Sequence, residues 1–156
     1  MSSVGSSALR PELVIGIGPS FRRDDGAGPA VARALTARGH PAVVHEGEGS
    51  ALIDLWDGRR HVVVVDAMIG GTPGTVRQFD ADSKALQAVT FIRSTHDLGL
   101  AEAIGLGRQF GRLPGTLSVI AIAGSDFAMG ETMSAPVRAA VATVIESVSD
   151  TFREPA

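Results

Sequence analysis

The sequence predicts an α/β fold: one domain on an open, twisted, mostly parallel five-stranded sheet with helices on both faces. Two observations carry this. HVVVVDA (61–67) and LSVIAIA (117–123) are continuous apolar runs bounded by turn residues, the pattern of strands buried on both faces. Around them, strand-like runs alternate with helical periods, the order of a sheet covered by helices on each side.

Taken in order, ELVIGI (12–17) reads as a short buried strand ending in glycine. Pro29 suits the first helical position behind Gly28, and Val31, Ala32 and Leu35 give that helix an apolar face closed by Gly39. PAVVHE (41–46) is a second strand, and ALIDLW (51–56) a short helix stopped near Gly58. After HVVVVDA, the glycines at 70, 71 and 74 turn the chain into TVRQFD (75–80), whose alternation suits an edge strand. Thr95 or Asp97 is positioned to cap a helix running to Phe110. Beyond LSVIAIA, Ser134 caps the last helix, with Val137, Val141, Val144, Ile145 and Val148 along one face.

The 156 residues support one core, so residues 12–153 are read as the domain and the Ser/Gly-rich 1–11 as a disordered tail. That tail lacks the apolar stretch of a secretion signal, which makes a cytoplasmic location the expectation. A formal net charge of −3 gives no reason to expect nucleic acid or an anionic membrane as partner. The absence of cysteine excludes a thiol nucleophile, a disulfide and any Cys-ligated metal, so a metal would fall to His, Asp and Glu.

GIGPSFRRDDGAGP (16–29) matches the first two glycines of a dinucleotide fingerprint, but Phe21 stands where the third belongs. Asp24 and Asp25 would repel a pyrophosphate there. His45-Glu46 opens like a zinc-protease motif, but Gly49 replaces the second histidine. No G-x-S-x-G elbow is present. His40, His45 and His61 read as turn and strand-end residues.

Three other side chains fall where open α/β sheets place their sites, outside the carboxyl ends of strands. Asp25 follows the first strand, Asp66 ends the valine run, and His96 in STHDLGL precedes a helix. If the first and third strands are neighbours, the two carboxylates meet, where mutual repulsion favours a shared proton or a bridging cation. A histidine at a helix N-terminus is held neutral, the ligand form. Such an oxygen and nitrogen set suits zinc, nickel or iron better than magnesium or calcium. The alternative stays open at this level: Asp25 and Asp66 capping turns, and His96 a plain helix-start residue.

The blocks GIG…DDGAGP (16–29), VVVVDAMIGGTPGTV (62–76), STHDLGLAEAIGL (94–106), LPGTLSVIAIAG (113–124) and MSAPVRAAV (133–141) run in order over nearly the whole chain after the tail. Together they resemble the hydrogenase maturation proteases, which trim the large subunit of nickel–iron (NiFe) hydrogenases. The resemblance implies a twisted sheet between helices and an aspartic-type endopeptidase activity without a serine or cysteine nucleophile. Its substrate would be a hydrogenase large-subunit precursor that loses a C-terminal extension after nickel insertion. It places the family's three metal-binding residues on Asp25, Asp66 and His96, as recognition groups for the precursor's nickel and as the catalytic set. Zinc or cadmium could occupy them in the isolated protein. It implies a monomer.

Two departures bear on substrate recognition: Pro19 where the family usually has Asn, and Ala123 where many members carry an acidic residue. Asp24 is a candidate base, a partner to a neighbouring ligand, or a loop cap. Other classes compatible with the chain are a non-catalytic metal- or precursor-binding maturation factor, a metallopeptidase with its own zinc, and a nucleotide-binding module.

Overall fold

The computed structural model describes residues 12–19, 23–91, 99–130 and 132–153. Six strands form one sheet: β1 (Leu13–Ile17), β2 (Ala42–His45), β3 (His61–Ile69), β4 (Val76–Asp80), β5 (Thr90–Phe91) and β6 (Thr116–Ala123). Five follow the order β2-β1-β3-β6-β4, and β5 adds to β3 off that path. All neighbours on the path are parallel except β4, which closes the β6 edge antiparallel. The expected five-stranded, mostly parallel sheet is therefore present. The two-residue β5 is the addition, too short to leave a periodic signal.

Four helices cover it: α1 (Ala27–Ala37), α2 (Gly49–Trp56), α3 (Leu100–Gln109) and α4 (Ala135–Arg153). Strand alternation divides the core into two layers. Val14, Val63, Val65, Ile120 and Ile122 pack under Val31 and Leu35 of α1 and the Val137, Val141, Val144 and Val148 stripe of α4. Ile15, Ile17, Val62, Val64 and Val119 face Leu52, Ile53 and Trp56 of α2 and Leu100, Ala103 and Ile104 of α3. Trp56 is fully buried there and donates its indole N–H to the Arg112 carbonyl at 2.9 Å, which removes the cost of an unpaired polar group in the core. No helix among the described residues is long and apolar enough to cross a membrane.

Several element boundaries differ from the sequence reading for local reasons. A 3₁₀ turn (Arg23–Gly26) feeds directly into α1, so Pro29 is the third helical residue and not the first. Its missing N–H costs nothing there, because the first four helical amides have no intrahelical acceptor. α1 ends as expected at Gly39, with φ +86°. The His40 amide bonds to the Leu35 carbonyl and the Gly39 amide to that of Thr36, a Schellman closure. The N-cap position of α3 is Gly99, and the cap candidates Thr95 and Asp97 lie outside the described residues. β3 runs two residues past Ala67 because β6 and β5 both pair with Met68.

The helix–strand approach is set by two glycines. A Cβ on Gly28 would lie 2.5 Å from the carbonyl oxygens of both Ile17 and Val65, and one on Gly16 would lie 2.1 Å from the Gly28 oxygen. Gly28 therefore gives the close helix–strand packing that Phe21, at the fingerprint position, could not. Gly28→Ala forces backbone apart and is expected to destabilise by about 1–3 kcal/mol. Gly105→Ala, exposed within α3 with no neighbour near its Cβ, is expected to stabilise by roughly 0.5–1 kcal/mol. Urea midpoints of both variants check this pair; equal stability of wild type and G28A would mean that α1 does not seat on these strand ends.

Candidate functional site

β1 connects through α1 to β2 on one flank, while β3 leads on to β6 on the other. The carboxyl ends of β1 and β3 therefore form the switch point of the sheet, where open α/β proteins place their ligands. The condition set by the sequence, that the first and third strands be neighbours, is met: Leu13–Gly16 pair with Val62–Val65.

Past that pairing the lane beside β3 changes hands. β1 ends its register at Val65, and β5 takes up the same side of β3 only from Met68. Asp66 lies in the interval. It is 2% exposed, and its Oδ1 accepts the Ala67 amide at 2.8 Å. Its parity with Val62 and Val64 puts it on the α2/α3 face. β5 runs antiparallel to β3, so the chain reaching Phe91 heads along β3 toward Asp66. Phe91 and Leu100, on either side of residues 92–98, are both buried. His96 lies within that stretch, outside the described residues.

Asp25 is 1% exposed in the 3₁₀ turn after β1, which packs against β3. Gly18 makes room for it. At φ +134°, a conformation L side chains avoid, a Cβ on Gly18 would sit 2.2 Å from the Asp25 carbonyl oxygen and 3.2 Å from its Oδ1. Asp25 and Asp66 thus come to the carboxyl ends of adjacent parallel strands. Among the described residues, no group of three His, Asp or Glu is close enough to hold a metal.

Asp24 has a different duty. Its Oδ2 accepts the amides of Ser125 and Asp126, both at 2.9 Å, and the Ser134 hydroxyl at 2.9 Å. Its Oδ1 accepts the Ser134 amide at 2.7 Å. Burial works to raise its pKa, but the backbone donors of Ser125, Ser134 and Asp126 outweigh that and hold it below the ordinary value. The carboxylate fills an anion-binding cluster of amides between β6 and α4 with a group from the chain itself. Ser134 stands directly before α4, and its hydroxyl is given to Asp24. Nothing local in the sequence signals this long-range clamp.

His45 ends β2 beside the same crevice. Its carbonyl accepts the Gly18 amide at 3.0 Å, and its Nδ1 accepts the Gly47 amide at 2.8 Å. Burial lowers its pKa against the opposing pull of Glu46 and Glu48, so the ring is neutral at pH 7. His40 and His61 sit elsewhere: His40 Nε2 lies 3.0 Å from the Ser149 hydroxyl, and His61 Nδ1 contacts the Thr116 hydroxyl.

These features define an open α/β protein with two buried carboxylates at the carboxyl ends of the adjacent strands that form the switch point of its sheet. Residues 30–151 match the sequence pattern of the hydrogenase maturation proteases, HycI, a stretch that holds Asp66 and His96 and begins just beyond Asp25. Protein FrxA of Pyrococcus furiosus is 26% identical over 133 residues, which cover 84% of this chain and 97% of that protein. The fold matches the hydrogenase maturating endopeptidase HybD from Escherichia coli with a TM-score of 0.77 and 22% identity, over 92% of this chain and 93% of that one. The NiFe hydrogenase maturation protease HybD from Thermococcus kodakarensis gives 0.72 and 23%, over 91% and 99%. The chain belongs to the hydrogenase maturation protease family, and its enzyme class is hydrolase.

Because the folded pKa of Asp24 lies below its unfolded value, the stability it contributes is fully present above the ordinary value of 3.8. That contribution is lost as pH falls from there through the folded pKa. Asp24→Asn turns an acceptor into a donor facing donors, and is expected to lower stability at pH 7 by about 1–3 kcal/mol. It should also remove this component of the acid sensitivity. Denaturation midpoints from pH 7 down to acid check both statements; a D24N curve parallel to wild type would contradict the second.

Proposed function

We propose that this chain is the endopeptidase that removes a C-terminal extension from a nickel-loaded NiFe hydrogenase large-subunit precursor. The observation that carries this reading is the pair of buried carboxylates, Asp25 and Asp66, at the switch point between β1 and β3 in a chain of this family. Two solved structures of the same fold bear the names maturation protease and maturating endopeptidase, which supports the class of reaction.

In this reading nickel arrives as part of the substrate. Asp25, Asp66 and His96 meet it as a mixed oxygen and nitrogen donor set, a chemistry suited to nickel and, in the isolated protein, to zinc or cadmium. Gly18, having no Cβ, lets its backbone lie directly against Asp25. The nickel acts as a checkpoint: a loaded precursor is held in register and an empty one is not. The gain is orientation of the scissile peptide bond, a contribution that proximity alone can make large.

The reaction is hydrolysis. A water oxygen bonds to the scissile carbonyl carbon, and its proton passes to a carboxylate. The C–N bond then breaks as the leaving nitrogen takes that proton. In this reading the base is Asp25 or Asp66, while Asp24 is held by the Ser125, Asp126 and Ser134 donors.

The expected outcome is loss of a C-terminal peptide from the nickel-loaded precursor, read by intact mass, and no loss from the nickel-free form. D25N, D66N and H96A should each reduce cleavage at least about a hundredfold, the scale of a lost acid–base group, with melting temperatures near wild type. Efficient cleavage by any of the three removes its assignment. Stable binding of the loaded precursor without cleavage by wild type would make the chain a binding factor.

A further inference from the structure

Among the described residues β2 forms one edge of the sheet, and its outer side carries the next step. In a parallel ladder, alternate residues turn both backbone groups toward one neighbour. On β2 the Pro41 and His45 carbonyls accept from Val14 and Gly18 of the β1 segment, so the odd positions face inward. The even positions face out. The Ala42 carbonyl accordingly accepts the Thr36 hydroxyl at 3.2 Å, away from β1. Val44 then presents its N–H and C=O to the outside. Val44 is 42% exposed and Val43, whose side chain lies on the opposite face, 37%. Ala42–His45 holds no lysine, glutamate or proline to discourage another strand.

The place of this edge matters. β2 ends at His45, bonded to Gly18, the residue that makes room for Asp25. A strand added beside β2 would lie about 10 Å, two strand spacings, from β1, the near wall of the crevice. About three extended residues cover that distance. Glu46 and Glu48, both exposed past the end of β2, make the exit acidic.

We propose that the β2 edge is the docking strand for the precursor's C-terminal extension, which adds to the sheet through the Val44 backbone before crossing into the crevice. This rests on the reading of the chain as that endopeptidase. The occupant is an extended peptide with apolar side chains beside Val43 and Val44 and basic residues near Glu46. Main-chain bonds supply the affinity and the two valines the register, as in other strand-addition complexes.

The test is Val44→Pro. Proline at an outward position of an edge strand removes only the outward N–H and keeps the β1 pairing. With the nickel-loaded large-subunit precursor, KM should rise roughly tenfold, the scale of one lost hydrogen bond plus disturbed neighbours, with kcat unchanged. In the wild-type protein, an exchange pulse within the first turnover should slow deuteration of the Val44 amide, and a precursor lacking its extension should not. That measurement stands even if V44P fails to fold. An unchanged KM in folded V44P, or an unprotected Val44 amide with intact precursor bound, overturns the docking strand while leaving the protease reading intact. Protection that appears without precursor and grows with protein concentration assigns the edge to a second copy of this chain and likewise overturns it. Absence of cleavage by wild type removes the parent reading, and this inference with it.

Discussion

The contact on which the rest of the structure depends is the seating of α1 on the ends of β1 and β3. It works only because Gly16 and Gly28 lack side chains: neither position has room for even one carbon between helix and strand. The contact fixes where α1 begins, and therefore where the 3₁₀ turn before it must lie. That turn holds both aspartates against the sheet. A helix started one turn further out would leave the same residues in solvent, where neither carboxylate could be positioned by the fold.

Two adjacent carboxylates then lie in different surroundings. Asp24 is surrounded by donors from the segment between β6 and α4 and binds that segment to the first turn. Asp25, one residue on, lies against Gly18 beside the interval in the lane next to β3. Burial alone does not separate them, since both are inaccessible. What marks Asp24 is the set of donors from Ser125, Asp126 and Ser134 that converge on it. The two residues share one 3₁₀ turn, so the bonds to Asp24 tie to the β6–α4 segment the same turn that carries Asp25.

Much of the fold was legible in the sequence because the core is divided cleanly by strand alternation and helical stripes. The valines of β3, the apolar run of β6 and the Val137–Val148 stripe each carry a period that solvent and burial impose. The adjacency of β1 and β3 could be posed as a condition and is met. Less legible were features fixed by distant partners. Asp24 reads locally as a loop residue, and its donors lie about a hundred positions away; β5 is two residues long and owes its pairing to Met68. The start of α1 was misplaced because Pro29 signals a helix start, while here the preceding turn already supplies the helical geometry. Of the three candidate site residues, Asp25 and Asp66 have defined places in the fold, and His96 lies outside the described residues.

The burial of Trp56 has a spectroscopic consequence. It is the only tryptophan, and the chain has no tyrosine. Its indole sits wholly within the α2/α3 layer, tied to the Arg112 carbonyl. Intrinsic emission therefore reports on one side of the sheet and is blind to the α1/α4 side, while the helical far-ultraviolet signal draws on both, α4 being the longest helix among the described residues. Coincidence of the two transitions on unfolding would mean that the layers melt as one cooperative unit, and a lag between them would reveal the sheet as a partition between two separately yielding halves.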